Sequence, residues 1–339
     1  MKNNITFQDI ANYTGFSKTT ISRYFNHPES ISKENKEKIS AALKDLNYKE
    51  NKVAKILANG ETEFIGLILP DMYNAFYSGI AEKIIKTYDE FGYKFIIFSG
   101  SDKEESERKY IEELLAYKIE GLIVLSHTLP SMDLASYGIP VVAIEREDRF
   151  ISSVSTDNYM GGIQATSLLY KRDCNVLINL ISQTKPDVPA YGRVQSFLDT
   201  CREHMLDYRI MEFSLGRSYE EMADSIRDVV NRSIIDAFPG KKVGIFCTSD
   251  ACALIVLNTI IRHYGNLPEE YDIIGFDNIP ASLESVIQLT TVGQQSDVIV
   301  SKAMHLISKL IEKKKAGENP VKPEHIIVPP KLIIRETTT

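Results

Sequence analysis

From residue 63 onward, short apolar runs alternate with stretches of amphipathic helical spacing, and this alternation leaves few folds open to the chain. The first runs are "EFIGLILP", "YKFIIFSG", "EGLIVLS" and "IPVVAIE", with helices predicted at about 76–91 and 103–117. Continuous apolar runs are typical of strands buried on both faces, and intervening helices make successive strands parallel. We therefore predict a parallel sheet that is covered by helices.

The series then runs a second time, through "NVLINLI", "YRIMEF", "KVGIFCTSD" and "YDIIGFD". Its helices are predicted from about 160 and at about 190–205, 218–237 and 251–264. Two halves of similar size predict two α/β lobes with a cleft between them, where ligands bind beyond the carboxyl ends of the strands. A helix at about 297–315 and one strand-like stretch, "EHIIVPPKLIIRE", complete the chain.

The first sixty residues instead predict three short helices, with Thr6, Ser17 and Ser32 as N-caps and Gly15 at the first turn. A small core is predicted from apolar residues at helical spacing: Ile10, Ala11, Ile21, Phe25, Ile39, Ala42, Leu43 and Leu46. Two helices joined by a tight turn form the helix-turn-helix geometry, whose second helix enters the major groove of DNA. The alternative is a solvated helix in an unrelated small bundle.

Charge and composition narrow the function further. Residues 1–60 carry a net charge of +4 and residues 61–339 carry −11, so a cationic head that meets a polyanion is expected on an anionic body. No apolar run approaches the roughly 20 residues of a membrane span. The start, "MKNNITFQDI", lacks the apolar region of a secretory signal, so we expect a cytoplasmic protein.

Residue types that carry catalysis or bind metals do not fall into known patterns. The four cysteines never form a C-x-x-C pair and are expected to be buried free thiols, and the six histidines lack metal-ligand spacing. Phosphate-loop, nucleophile-elbow and dinucleotide motifs are absent, so no catalytic residue, metal or cofactor is predicted. A sugar-binding transport protein shares the two-lobed body, but it needs an export signal and has no use for a helix-turn-helix head.

The stretch "TFQDIANYTGFSKTTISRYFNHPESISKENKEKISAALKDLNY" closely resembles the head of the lactose-repressor/galactose-repressor (LacI/GalR) family of bacterial transcription regulators. Members open with T-x-x-D-V-A-x-x-A-G-V-S-x-x-T-V-S-R-x-L-N, and the resemblance covers essentially the whole chain. It implies an N-terminal all-α helix-turn-helix domain and a two-lobed α/β effector domain. That domain is like a periplasmic binding protein, with two doubly wound parallel sheets.

The resemblance also implies domain boundaries. These are a helix-turn-helix domain at 1–49, a hinge helix or linker at 50–61, and an effector-binding and dimerisation domain at 62–339. Lobe one spans about 62–158 and 293–323, and lobe two about 159–290 and 324–336. The stretch "STDNYMGG" resembles the crossover between lobes, where we expect Asp157 to cap the following helix.

Residues of the head receive DNA-binding roles from the resemblance. Lys18, Thr19 and Arg23 match base-reading positions, and Lys18 is expected to help select the operator. Phosphate contacts, which fix register without reading sequence, are implied for Thr6, Ser17, Thr20, Ser22, Asn26 and Ser32.

The stretch "NKVAKILANG" matches the hinge helix, whose paired copies enter the minor groove in this family. It is too short to be stable alone, since isolated helices below about 12–15 residues are marginal in water. The implied DNA contacts are Asn51, Val53, Ala54 and Leu57, with Leu57 as the wedge between base pairs. Glu50 stands where many members have proline, and the alternative is a plain linker.

Loops at the strand ends match the family's ligand positions, which here are Asp71, Tyr73, Phe76, Glu145, Arg193, Ser249, Asp277 and Gln294. Glu145 stands for a usual aspartate, Ser196 for glycine and Ser249 for asparagine. Carboxylates accept hydrogen bonds from vicinal hydroxyls and arginine donates to ring oxygens, so a sugar or sugar derivative is expected. Alternatively, strand-end charges cap helices or bridge the lobes, and Tyr73 and Phe76 are ordinary core aromatics.

These features together predict a homodimeric, sequence-specific DNA-binding regulator, a repressor of an operon for carbohydrate use. Its partners are a double-stranded, pseudo-palindromic operator and a sugar effector that controls operator affinity, and no membrane. The dimer surface is expected near 76–91 and 251–264. The residues leave open which sugar binds and whether it releases the protein from DNA or holds it there.

Overall fold

The computed structural model of the chain describes residues 5–49, 61–100, 103–146, 149–182, 189–216, 218–319 and 322–338. Residue contacts divide the chain into two compact units, 1–61 and 62–339. In the described ranges, no helix combines the length and the apolar character that crossing a membrane requires.

The first unit is a small helical domain. Its elements are α1 (Phe7–Thr14), α2 (Lys18–Asn26), a 3-10 turn (Pro28–Ser30) and α3 (Lys33–Asp45). The three predicted caps are confirmed, because Thr6, Ser17 and Ser32 each accept a hydrogen bond from a backbone N–H of the first turn. Gly15 ends α1 with a φ of 76°, a conformation that glycine adopts without steric cost.

Packing in this unit sets which face of α2 stays exposed. Ile10, Ile21 and Ile39 are fully buried at its centre. The ring of Phe25 stacks on Phe7 with centroids 5.0 Å apart. Because Ile21 and Phe25 lie one turn apart on α2, that side is anchored inward and the polar side remains exposed.

The second unit contains two six-stranded sheets, ordered β11-β5-β4-β3-β1-β2 and β12-β10-β9-β8-β6-β7. The strands are β1 (Phe64–Leu69), β2 (Lys94–Ser99), β3 (Gly121–Val124), β4 (Val141–Ile144), β5 (Ser152–Thr156), β6 (Val176–Ser182), β7 (Asp207–Phe213), β8 (Val243–Cys247), β9 (Tyr271–Asp277), β10 (Thr290–Gly293), β11 (His325–Val328) and β12 (Lys331–Ile333). Neighbouring strands pair in parallel, and β10 with β12 is the antiparallel exception in the described sheets.

Helices cover both faces of each sheet, as predicted. They are α4 (Ala75–Lys86), α5 (Tyr88–Phe91), α6 (Glu104–Ala116), α7 (Ser131–Ser136), α8 (Asn158–Lys171), α9 (Tyr191–Glu203), α10 (Tyr219–Ser233), α11 (Asp250–Tyr264), α12 (Pro280–Glu284), α13 (Ser296–Lys315) and a 3-10 turn (Glu336–Thr338). Each sheet has an apolar core on both sides, and we call each sheet with its helices a lobe. All four cysteines are free and buried, which confirms their prediction.

The chain crosses between the lobes three times. It leaves the first lobe after β5 at Asp157, returns after β10 at Gln295, and crosses again between β11 and β12. The backbone N–H of Asp157 donates to the carbonyl of Val328 at 2.9 Å. The amide of Gln295 donates to the carbonyl of Pro329 at 2.7 Å. The three crossings therefore run side by side and are bonded to one another.

Two strands, β5 and β10, are missing from the sequence prediction. Their sequences "SSVST" and "TTVG" carry hydroxyls rather than an apolar run, yet they are buried. Partners elsewhere in the chain satisfy most of those hydroxyls, although the buried hydroxyl of Ser155 has no hydrogen-bond partner among the described residues. Ser153 Oγ lies 2.9 Å from His325 Nδ1, and Thr291 Oγ1 donates to Asp250 Oδ1 at 2.6 Å. Such long-range pairing leaves no local pattern in the sequence.

The sequence predicts the C-terminal stretch, residues 324–336, as one strand of lobe two. In the structure it forms two strands in different sheets. Pro329 and Pro330 divide it, because proline cannot donate to a strand ladder. The part before them, β11, pairs with β5 in the first sheet, and the part after them, β12, pairs with β10 in the second. The helix predicted at 76–91 is divided at Thr87 into α4 and α5. The short helices α7 and α12 are also missing from the sequence prediction.

Candidate functional site

Six polar side chains join the two lobes at the carboxyl ends of their strands. We call this set the inter-lobe cluster, and its members are Glu145, Thr156, Asn158, Arg193, Asp277 and Gln294. None of these residues is more than 7% exposed.

Each member is placed by the end of an element. Glu145 follows β4 and Thr156 ends β5, both in the first lobe, whereas Asp277 ends β9 in the second. Asn158 opens α8 at the first crossing, and Arg193 lies in the first turn of α9. Because the carboxyl ends of parallel strands share one edge, strand ends distant in sequence meet here.

One half of the inter-lobe cluster is built around Asn158. The carboxylate of Glu145 accepts from the backbone N–H of Thr156 at 2.6 Å and from Asn158 Nδ2 at 3.1 Å. Asn158 Oδ1 accepts from Arg193 Nε at 2.7 Å. Glu145 is therefore engaged through both carboxylate oxygens, and Asn158 connects it to the arginine of the other lobe.

The other half is built around Arg193. Its Nη1 donates to the carbonyl of Thr248 at 2.6 Å and lies 3.6 Å from Asp277 Oδ1. The guanidinium sits 3.6 Å above the ring centroid of Phe276, a cation–π contact. A Cβ at Gly161 would come within 2.6 Å of the Phe276 ring, so only glycine lets α8 approach this ring.

Gln294 closes the ring of contacts. Its Nε2 donates to Asp277 Oδ1 at 2.7 Å, and its Oε1 accepts from Thr156 Oγ1 at 2.6 Å. Thr156 thus donates two hydrogen bonds within the cluster, from its N–H to Glu145 and from its hydroxyl to Gln294, which in turn bonds to Asp277. The inter-lobe cluster is a closed circuit of hydrogen bonds and one ion pair.

The electrostatics of the cluster are set by its burial. Burial raises the pKa of Asp277 to about 6, while the charge of Arg193 and the hydrogen bond from Gln294 act in the opposite direction. Both carboxylates also sit on unusual backbone, with φ of 54° at Glu145 and 113° at Asp277. Such conformations cost of order 1–3 kcal/mol each and are concentrated at functional sites.

Four of the predicted ligand residues, Glu145, Arg193, Asp277 and Gln294, are thus brought together. The other four lie around them or apart from them. Asp71 is half-buried after β1 and accepts from the N–H of Asn74 at 2.7 Å. Burial raises the pKa of Asp71.

The two predicted aromatics and the predicted serine have other surroundings. Tyr73 is 47% exposed, whereas Phe76 is buried in the core of the first lobe. Ser249 caps α11 by accepting from the N–H of Cys252 at 3.3 Å, while its neighbour Thr248 supplies the carbonyl that Arg193 uses. Ser196 faces α8, where a Cβ on Gly162 would come within 1.9 Å of its hydroxyl.

Sequence reasoning missed Tyr77 and Arg146 in addition to Thr156 and Asn158 of the inter-lobe cluster. Burial raises the pKa of Tyr77, and the negative charges of Asp71 and Asp277 raise it further, so this phenol lies among the ligand candidates. The signal was its position in the first turn of the predicted helix that follows Tyr73. Arg146 is buried and donates to the carbonyls of Ser126 and Leu129. Its signal was a positive charge two residues after the strand that ends at Ile144.

In the first unit, the predicted base-reading side chains Lys18, Thr19 and Arg23 are exposed on α2. None of the three forms a side-chain hydrogen bond or ion pair with another described residue. Among the predicted phosphate contacts, Ser17 Oγ pairs with Thr20 Oγ1 at 2.8 Å and Asn26 donates to Ser22 at 3.3 Å.

Thr6, Ser17 and Ser32 each stand at a helix N-terminus, where backbone N–H groups favour anions. The predicted hinge contacts lie outside the described residues, and they are Asn51, Val53, Ala54 and Leu57.

A separate cavity of about 410 Å³ lies at the amino-terminal end of β4, against the last turns of α13. Its walls include Ile139, Phe150 and Leu310, and it lies at the opposite edge of the sheet from the inter-lobe cluster. In the described part of the chain, no group of three or more histidine, cysteine or carboxylate side chains is placed to hold a metal ion.

Two family models match the chain. The model for "Bacterial regulatory proteins, lacI family" matches residues 6–51, and the model for "Periplasmic binding protein-like domain" matches residues 168–338. The ribose operon repressor of Halalkalibacterium halodurans is 29% identical over 336 residues, which are 98% of this chain and 97% of that protein.

Solved structures agree with this fold. The periplasmic binding protein/LacI transcriptional regulator from Alkaliphilus metalliredigens QYMF, complexed with D-xylulofuranose, is 30% identical with a TM-score of 0.70. The match covers 82% of this chain and 99% of that one. The lac repressor dimer bound to operator and the anti-inducer ONPF matches 99% of both chains with a TM-score of 0.83 at 20% identity, which supports the fold alone.

Replacing Arg193 with alanine is expected to destabilise the second unit by about 3–5 kcal/mol at pH 7.5, because Asp277 then keeps a buried charge without its partner. Since the pKa of Asp277 is raised from 3.8 to about 6, its contribution to stability is full below pH 3.8 and is lost as pH rises through 6. At pH 5 the carboxyl is mostly protonated, so the loss caused by the substitution should be smaller. Urea unfolding at both pH values measures it.

The control for this prediction is the same substitution in an Asp277→Asn background. There the loss caused by Arg193→Ala should be equal at pH 5 and pH 7.5, because the carboxylate that pairs with Arg193 has been replaced by an amide that does not titrate. An equal loss at both pH values in the wild-type background would contradict the assignment of the buried pair.

Proposed function

Because the chain belongs to the LacI family of bacterial regulatory proteins, we propose that it is a sequence-specific DNA-binding repressor of an operon for carbohydrate use. A sugar or sugar derivative bound between the lobes controls its affinity for the operator. The family consists of transcription regulators and not of enzymes.

The observation that carries this proposal is the inter-lobe cluster. A ligand with several hydroxyls can exchange hydrogen bonds with the carboxylate of Asp277, the guanidinium of Arg193 and the phenol of Tyr77, since each is a donor or acceptor of the required kind. Two carboxylates against one guanidinium give the cluster a net negative charge when both are ionised. An uncharged sugar is therefore favoured over a sugar phosphate.

The size of the sugar is suggested by relatives. The Halalkalibacterium halodurans relative is named for a ribose operon, and the Alkaliphilus metalliredigens regulator holds D-xylulofuranose. Both sugars are pentoses with adjacent hydroxyls. We take D-ribose as the first candidate for this chain, with D-xylulose as the second.

In the proposed DNA complex, the exposed polar face of α2 lies in the major groove. Lys18, Thr19 and Arg23 contact base edges, and Arg23 forms the bidentate contact to guanine that is the commonest specific one. Phosphates are held at the helix N-termini capped by Thr6, Ser17 and Ser32. The segment 50–61 serves as the hinge, with Leu57 as the proposed minor-groove wedge.

The coupling that we propose requires two copies of the chain. A homodimer places its heads on half-sites about one helical turn apart, in a two-fold symmetric operator. Its dimer surface includes the helices near 76–91 and 251–264, and Ile85 and Tyr88 there are 45% and 46% exposed. A sugar that changes the contacts between the lobes changes the spacing of the hinges, and so the affinity for DNA.

Replacing Arg23 with alanine should weaken binding to the operator by roughly 1–3 kcal/mol and relax the preference at one base pair. Fluorescence anisotropy against operators substituted at each position measures both effects. Lys44→Ala is the matched control, because it removes a positive charge from the exposed end of α3. An unchanged base preference in Arg23→Ala would refute α2 as the recognition helix.

The experiment that tests the whole function is a mobility-shift titration on the DNA upstream of the protein's own gene. D-ribose or D-xylulose is expected to change operator affinity by roughly 5–150-fold, and its phosphate ester should act more weakly. Asp277→Asn should still bind DNA but lose the response to the sugar. Equal retention of operator and scrambled DNA, unaffected by every sugar, would overturn the proposal.

A further inference from the structure

The oxygen and the nitrogen of the Asn158 side-chain amide have opposite hydrogen-bonding roles and different partners. The residue is 4% exposed, its Oδ1 accepts from Arg193 Nε at 2.7 Å, and its Nδ2 donates to Glu145 at 3.1 Å. Its Nδ2 also donates to the carbonyl of Thr156 at 3.0 Å. Because guanidinium only donates and carboxylate only accepts, the position needs an acceptor and a donor on one short side chain. An amide is the group that meets this need.

The side chain of Asn158 is not needed to cap its own helix. Asp157 supplies that cap by accepting from the N–H of Met160 at 2.9 Å, which confirms the prediction for Asp157. Asn158 instead connects a residue after β4 of the first lobe to a residue of α9 in the second. It does so at the first crossing, beside the bond from Asp157 to Val328 of the third.

We propose that Asn158 is a positioning residue that holds the guanidinium of Arg193 toward the ligand and ties it to Glu145, so that a ligand acting on Arg193 alters the bonding at the end of β4. The ligand part of this inference rests on the proposed function. The link between the lobes does not, since it is a property of the protein alone.

The polarity of the amide provides a specific test. Asn158→Asp keeps the acceptor for Arg193 but places a carboxylate 3.1 Å from the carboxylate of Glu145, where the amide donated before. Glu145→Gln alone sets two amides against each other. In the double variant, the amide introduced by Glu145→Gln can accept from the N–H of Thr156 through its oxygen. Its nitrogen can donate to the carboxylate introduced by Asn158→Asp, so the bond between these two side chains is restored with its polarity reversed. The carbonyl of Thr156 still loses its donor, so recovery is expected to be incomplete.

The first measurement uses the full chain without ligand. Amide hydrogen exchange is followed by mass spectrometry over the peptide that contains Thr156, whose N–H donates to Glu145 at 2.6 Å. Each single variant should exchange faster by roughly 10-fold, and the double variant should return to within about 3-fold of the wild type. The control variant is Asn266→Asp, the same change at an exposed position after α11, and it should leave the exchange rate of the peptide that contains Thr156 unchanged.

The second measurement is the affinity for D-ribose by calorimetry in the wild type, the two single variants and the double variant. The two single variants should bind roughly 10-fold more weakly and the double variant should recover, because Arg193 is again held in place. If D-ribose fails to bind the wild type, the proposed ligand is wrong, and the exchange experiment still decides on Asn158.

Additivity is the result that overturns the inference. If the double variant shows the summed defects of the two single variants, Asn158 and Glu145 do not act through a shared bond. If Asn158→Asp does not fold, recovery of folded protein in the double variant is the expected result. No recovery then counts against the inference in the same way.

Discussion

The buried pair of Arg193 with Asp277, both in the second lobe, is the interaction that holds that lobe's side of the inter-lobe cluster together. A buried charge is tolerated only when a partner and further hydrogen bonds replace the water it has lost. Asn158 and the carbonyl of Thr248 do this for the arginine, and Gln294 does it for the carboxylate. The strained backbone at Asp277 persists because this network fixes it from several sides.

The position of the inter-lobe cluster explains how it can act on the rest of the protein. Thr156 stands at the first crossing and Gln294 at the second, and the second and third crossings are joined by the bond from Gln295 to Pro329. A ligand that replaces one bond of this circuit therefore acts where the orientation of the lobes is set. We propose that a small change at such a place favours one lobe orientation over another, because a packed interior has discrete arrangements rather than a continuous range.

Much of the fold could be predicted from the sequence, because apolar runs and helical spacing are local signals. The caps at Thr6, Ser17 and Ser32 are local as well, and they are present where the sequence places them. The strands β5 and β10 could not be found in this way, since hydroxyls such as those of Ser153 and Thr291 are satisfied by residues far along the chain. The division of the last stretch between the two sheets depends on pairing with those same two strands.

The candidate site was predictable in its chemistry and less so in its connections. The resemblance to the family's ligand positions indicated Glu145, Arg193 and Asp277, and the structure brings all three together. Nothing in the sequence shows that Glu145, one methylene longer than aspartate, reaches back to the N–H of Thr156. Nor does it show that Asn158 joins two charged side chains, because that role exists only when both lobes are folded.

The coupling of sugar and operator is tested most directly by measuring it from both sides. Calorimetry gives the dissociation constant of D-ribose for the free protein and for its complex with operator DNA, and anisotropy gives that of the operator with and without D-ribose. Linkage requires the two ratios to be equal, and we expect a value at least about fivefold away from one. Saturable binding of both ligands with a ratio of one on each side would contradict control of DNA binding by the cleft.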